Sequence, residues 1–151
     1  MEDLSFSDYS FKIRKSDQNT MVIFDDVRKK YVKLTPEEWV RQHVIRFLID
    51  LGYPISLMNV EKEIKLFNTK KRFDILVSDP NGHPALLVEC KAPGVKIDQS
   101  VFDQITRYNI ALKVPLLFVS NGINHYCVKF ENGEPNFLDS VPLYIPKTLN
   151  V

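Results

Sequence analysis

Two apolar, β-prone runs carry charges at positions where a buried strand should not tolerate them: Arg72-Phe73-Asp74-Ile75-Leu76-Val77 and Leu86-Leu87-Val88-Glu89-Cys90-Lys91. Alternate side chains of a strand share a face, so Glu89 and Lys91 point the same way roughly 6.6 Å apart. The two runs are joined by Asp79-Pro80-Asn81-Gly82-His83-Pro84, a turn-rich linker that predicts a hairpin. Pairing them sets Asp74 beside Glu89, and two carboxylates and one ammonium then converge at a sheet surface. Charge inside a predicted core is costly unless it is paired or holds a metal. The function is expected there.

The chain around this pair is ordinary in bulk. Its 151 residues suit a single domain with a real core. Twenty basic residues face 19 acidic ones, so no whole-molecule field announces a polyanion partner, and a nucleic-acid reader would have to concentrate its positive charge locally. Arg28-Lys29-Lys30 and Lys70-Lys71-Arg72 could do so, although solvated surface is the commoner reason for such groups. Cys90 and Cys127 are isolated in apolar runs, with neither metal-ligand spacing nor a disulfide framework, and a reducing cytoplasm is the expected compartment. The acidic start Met1-Glu2-Asp3-Leu4-Ser5 is unlike a signal peptide, and no run is long enough to span a membrane.

Residues 1–34 hold three short alternating pieces, 10–14, 21–24 and 30–34, which predict a peripheral arm or ribbon packed on the core. A helix then begins, with Thr35 as N-cap, Pro36 at the first helical position and Glu38 completing a capping box. Val40, Val44, Phe47, Leu48 and Leu51 recur at helical spacing until Gly52. Glu37 lies on the side of that stripe and Glu38 points away. Glu37 therefore either looks inward toward a site or simply favours the helix dipole in the first turn. His43 is expected to be a partly exposed helix residue. Val60 to Leu66 alternates as a half-buried strand, and the central runs 72–79 and 85–91 follow. Ile97, Val101, Ile105, Tyr108 and Leu112 mark a second helix, on which Gln104 and Tyr108 stack at i and i+4. Leu116 to Ser120 is a continuous apolar strand, turned by Asn121-Gly122 into an antiparallel 125–130. Residues 131–151, with three prolines, are expected to be loop and tail. The core is thus 35–130, in the order helix, three strands, helix, two strands.

An aspartate and a glutamate on adjacent strands offer hard oxygen ligands, which suit Mg²⁺ or Mn²⁺. With an ammonium on the same face, the set has the parts of metal-assisted phosphodiester hydrolysis. A lone acid-x-Lys triplet at a strand end is more often a cross-strand salt bridge. Its weight here comes from the combination with a separated Asp and a following Gln/Tyr helix.

Those residues, Asp74, Glu89-Cys90-Lys91 and Gln104-Ile105-Thr106-Arg107-Tyr108, resemble the PD-(D/E)xK nuclease superfamily, and the Gln-x-x-x-Tyr pattern resembles its RecB-type branch. More narrowly, Leu34 to Gln42, Lys71-Arg72-Phe73-Asp74, Val88 to Pro93 and Gln104 to Asn109 are similar, in order, to the N-terminal nuclease domain of type I restriction enzyme R subunits. The resemblance implies an α/β (α+β) restriction-endonuclease-like core, a mixed sheet flanked by helices. It implies a DNA endonuclease in which Asp74 and Glu89 hold Mg²⁺ (Mn²⁺ substituting) with the backbone carbonyl of Cys90, while Glu37 is a further metal residue. Lys91 is then the catalytic lysine, and Gln104 and Tyr108 steady it or contact the DNA backbone. Phe73 stands where the family name has its proline. No phosphate-binding glycine loop occurs, so ATP-driven translocation is expected from other chains, namely helicase or restriction-modification subunits. A homodimer would suit double-strand cleavage. The rival reading keeps the fold without turnover, as a nucleic-acid-binding or regulatory module.

Overall fold

The computed structural model of the chain describes residues 1–146, and the last part of the expected tail lies outside the described residues. The N-terminal ribbon is a three-stranded antiparallel sheet of β1 (Ile13–Lys15), β2 (Met21–Asp25) and β3 (Lys30–Lys33). Then come α1 (Pro36–Asp50), β4 (Met58–Leu66), β5 (Thr69–Ser78), β6 (Pro84–Cys90), α2 (Gln99–Leu112), β7 (Leu116–Ser120), β8 (His125–Glu131) and β9 (Glu134–Leu138). Strands β4 to β9 lie side by side in sequence order in one mixed sheet. Every neighbouring pair in it is antiparallel except β6 and β7, which run parallel. A parallel pair needs a crossover, and α2 supplies it.

The sheet is covered on both faces. Val40, Val44, Ile45 and Leu48 of α1 pack with Ile75, Val77, Leu86, Val88, Cys90 and Phe118. Ile105 of α2 packs on the other face with Phe73, Leu76, Leu87, Leu117, Val119 and Val128. Such double coverage is why the runs 86–90 and 117–120 read as near-continuously apolar. Asn109 closes the α2–β7 turn. Its buried amide donates to the Val114 carbonyl (3.0 Å) and accepts the Val114 N–H (2.7 Å), while Lys113 takes the left-handed conformation that ends the helix.

Three expectations are corrected. The region after 131 is not all loop: Asn132 and Gly133, both at positive φ (53° and 79°), turn β8 back into β9. Asn-Gly is a strong hairpin signal, and Pro135 is tolerated because β9 is an edge strand. His43 is buried (6% exposed), because the N-terminal arm lays Phe6, Tyr9 and Phe11 around its ring beside Trp39. Glu38 does not point away. The Thr35 hydroxyl caps the helix by accepting the Glu38 N–H (3.0 Å), but the Glu38 carboxylate is buried among Arg28, Arg41 and Gln42. The apolar stripe identifies only the face of α1 against the sheet; the ribbon covers Glu38 and the arm covers His43 outside that face.

Candidate active site

The sheet loses its regular alternation at Asp74. Phe73 belongs to the layer facing α2, whereas Ile75 belongs to the layer facing α1. The β4–β5 pairing passes from Val60↔Ile75 to Lys62↔Phe73 with Glu61 at positive φ (56°) between them. The β5–β6 ladder starts at Ile75↔Val88, which places Asp74 next to the end of β6 that carries Glu89. Freed from the ladder, the Asp74 carboxylate itself takes up a backbone group: Oδ2 accepts the Cys90 N–H at 2.7 Å. Its Oδ1 receives the Arg41 guanidinium, also at 2.7 Å.

Glu89 follows Val88 at the end of β6 and is 9% exposed. Burial, then the neighbouring Asp74 charge, push its carboxyl up to about 7, against the pull of Lys71 and Lys91. Its Oε1 is buried and has no hydrogen-bond partner among the described residues. An orphaned carboxylate oxygen beside a second carboxylate calls for a proton or a cation. The Asp74–Glu89 juxtaposition expected from the two strands is therefore present. Two hard oxygen donors, one of them unsatisfied, fit a small divalent cation.

Lys91 lies one residue past β6. Its N–H donates to the Ser120 carbonyl (2.9 Å), so the parallel pairing with β7 continues to Lys91 at the C-terminal end of this central strand. Its half-buried side chain makes no salt bridge among the described residues, and its charge favours ionised Glu89 and Glu37. Glu37, at the start of α1, sits beside Asp74; burial and the Asp74 charge raise its pKa, and Arg41 and Lys91 oppose this. Asp74 thus lies between Glu37 and Glu89. No group of three or more His, Cys, Asp or Glu among the described residues is arranged to hold a metal. Any ion there would rest on Asp74, Glu89 and backbone oxygen. The Cys90 thiol is fully buried and its pKa is pushed well up, so the soft thiolate is not on offer.

The second helix delivers its pair differently from each other. Gln104 is exposed and makes no hydrogen bond with the described residues. Tyr108 packs edge-on against Phe73, with ring centroids 6.1 Å apart, and the lysine over its ring is Lys71, at 5.5 Å.

Sequence reasoning missed the ion network behind the site. Arg41, with a side chain only 5% exposed, meets Glu38 at 2.7 Å, Asp74 at 2.7 Å, Glu37 at 3.3 Å and Glu61 at 3.5 Å. Arg28, from the β2–β3 turn, bridges Asp25 and Glu38 and reaches Glu61 at 3.4 Å. The available signal was Arg41 four residues after Glu37 and three after Glu38, spacings that stack all three along one side of a helix.

The comparisons agree with this architecture. Residues 36–142 match the profile of the family described as the type I restriction enzyme R protein N terminus. In fold the chain is similar to the fragment structure of a chain assigned as an HsdR subunit of a type I restriction enzyme from Vibrio vulnificus YJ016, with 19% identity and a TM-score of 0.56. That alignment covers 72% of this chain and 24% of the other, so the present chain spans about a quarter of its neighbour's length. No curated protein sequence matches. The profile match extends over most of the chain, from the first helix to beyond β9, and by it the chain belongs to the family of type I restriction enzyme R protein N termini.

Proposed function

We propose that the chain is a divalent-metal-dependent nuclease domain of the PD-(D/E)xK type that hydrolyses DNA phosphodiester bonds. The observation that carries this reading is the buried, partnerless Glu89 Oε1 beside Asp74, with the Lys91 ammonium outside any salt bridge among the described residues. Asp74, Glu89 and the Cys90 carbonyl would hold Mg²⁺, with Mn²⁺ as a substitute, and Glu37 would stand at the edge of the site. Bound there, the ion supplies Lewis acidity toward a phosphate oxygen and an activated water. Lys91 would orient the attacking water and neutralise charge on the phosphate as the new P–O bond forms and the ester P–O bond breaks, the water giving up a proton to solvent and the leaving oxygen taking one from it. Arg41 keeps Asp74 aimed, and Gln104 and Tyr108 lie along the path of the DNA backbone. A plasmid-nicking assay with Mg²⁺ or Mn²⁺ tests the reading: wild-type protein should cut, and Lys91→Ala and Asp74→Ala should not. Cutting by both variants would remove these residues from the chemistry.

The setting proposed with it is a cytoplasmic restriction-modification system, in which helicase and specificity subunits translocate and read the DNA and two copies of the nuclease cut both strands. No helix among the described residues is long and apolar enough to cross a membrane.

A second reading, a nucleic-acid-binding or regulatory module without turnover, is favoured by Arg41, which already supplies a cation to Asp74. Calorimetry with Mn²⁺ separates the two. The nuclease reading requires binding heat that Asp74→Ala abolishes, and the module requires none.

A further inference from the structure

The basic triplet Lys70-Lys71-Arg72 divides between the two faces of β5. Lys70 Nζ lies 3.5 Å from one oxygen of Glu63 and Arg72 Nη2 3.7 Å from the other, so the outer two cations share a carboxylate from β4. Lys71 points to the opposite face, as strand alternation requires. There its ammonium stands 5.5 Å from the ring centroid of Tyr108 and 5.8 Å from that of Phe73. The residue is half-buried and has no carboxylate within salt-bridge reach among the described residues, whereas the Lys70 side chain is 74% exposed. Ring faces attract a cation but cannot neutralise it. A partly desolvated ammonium fixed on two aromatic shelves, attracted to Glu89 only across a distance and paired with no carboxylate directly, is arranged to receive an anion from outside. Phe73 adjoins Asp74, so the open charge flanks the carboxylate pair, in addition to Lys91.

We propose that Lys71, shelved on Phe73 and Tyr108, contacts a DNA backbone phosphate neighbouring the one held at Asp74 and Glu89. This rests on the nuclease reading and adds to it a residue that binds substrate. It also gives the tyrosine of the Gln-x-x-x-Tyr pattern a definite task here: Tyr108 is a positioning residue that acts through Lys71.

Each phosphate neutralised steepens the fall of log K with log salt by about 0.9 for duplex DNA. The test measures affinity of the full chain for a short duplex across a salt series, in Ca²⁺, beside cleavage in Mg²⁺. Lys71→Gln should flatten the slope by about 0.9 with an unchanged melting temperature, Lys71→Arg should restore it, and Lys70→Gln should leave it alone. An unchanged slope in Lys71→Gln, with wild-type binding and cleavage intact, overturns this assignment and spares the nuclease. An equal loss in Lys70→Gln overturns it too, since any nearby charge would then serve. A wild-type chain that neither binds nor cuts DNA overturns both.

Discussion

The Arg41 guanidinium reaches the Asp74 carboxylate at 2.7 Å from a helix 33 residues away in sequence, while its other terminal nitrogen holds Glu38 at the same distance. Asp74 is thereby gripped from two sides, by Arg41 from α1 and by the Cys90 N–H from β6. This grip compensates for the lost strand alternation at Asp74. The same guanidinium ties the site to the N-terminal ribbon, because Glu38 also binds Arg28. What looks like a peripheral ribbon is thus one end of the ion-pair framework that holds Asp74.

Removing Arg41 leaves Asp74 without its cation and Glu38 with the Arg28 cation alone. Breaking a buried pair by deleting one partner typically costs about 3–5 kcal/mol, so Arg41→Ala should lose that much in urea unfolding. Arg41→Lys should fall in between, because one ammonium cannot span two carboxylates as the planar fork does. A loss below about 1 kcal/mol for Arg41→Ala would place the contact among exposed ion pairs and contradict the buried network.

Lys91 presents the opposite case. It is half-buried and bears no salt bridge among the described residues, so Lys91→Ala should stay within about 0.5 kcal/mol of wild type in stability. Cleavage should nevertheless drop by roughly 10²–10⁴-fold under saturating Mg²⁺, the usual worth of a positioned acid-base or electrostatic group. Single-turnover rates and thermal melts on the same preparations check both halves. A large stability loss would mean that the residue is structural.

The site was legible because its charges interrupt apolar strands. Asp74 and Glu89 stand out against their neighbours, and the hairpin register sets them side by side even though the alternation breaks at Asp74. Arg41 and Glu38 were harder to see, since a charge on a helix reads as solvated until a second layer is known to cover it. The ribbon lies directly before α1 in the sequence, but nothing in its residues showed that Arg28 would fold back onto Glu38. Lys71 was hidden for a related reason: three consecutive basic residues read as one patch, and only the pairing of Lys70 and Arg72 with Glu63 singles it out. Strand β9 was missed although its signal was present, because the prolines outweighed Asn132-Gly133.

Thr35 isolates a local effect from this network. Its hydroxyl accepts the Glu38 N–H, satisfying one of the free donors at the start of α1. Thr35→Ala should cost about 1 kcal/mol, and Thr35→Ser should restore most of it. Since Glu38 is also held by Arg28, Arg41 and Gln42, nicking activity at a temperature below the transition should be preserved. Chemical denaturation and the nicking assay together decide. A variant that keeps its stability but loses activity would show that the cap sets the aim of Glu37 or Glu38.

Glu89 makes stability fall with rising pH. Burial first, and the Asp74 charge second, lift its carboxyl to about 7 from an ordinary value of 4.5. The folded protein therefore keeps a proton that the unfolded chain has released, and stability declines between those two values. Below the lower one both states are protonated and there is no penalty; above the upper one the folded state carries the full cost of a buried carboxylate with an unpaired oxygen, roughly 1–3 kcal/mol. Glu89→Gln should match wild type near pH 4, exceed it near pH 8 by about that amount, and show a flatter pH profile between. Mg²⁺ should raise the melting temperature of the wild type at pH 8 and leave Glu89→Gln unmoved, because an ion that binds only the folded state stabilises it by mass action. Equal stabilisation of both proteins by Mg²⁺ would place the ion elsewhere and separate the carboxylate pair from metal binding.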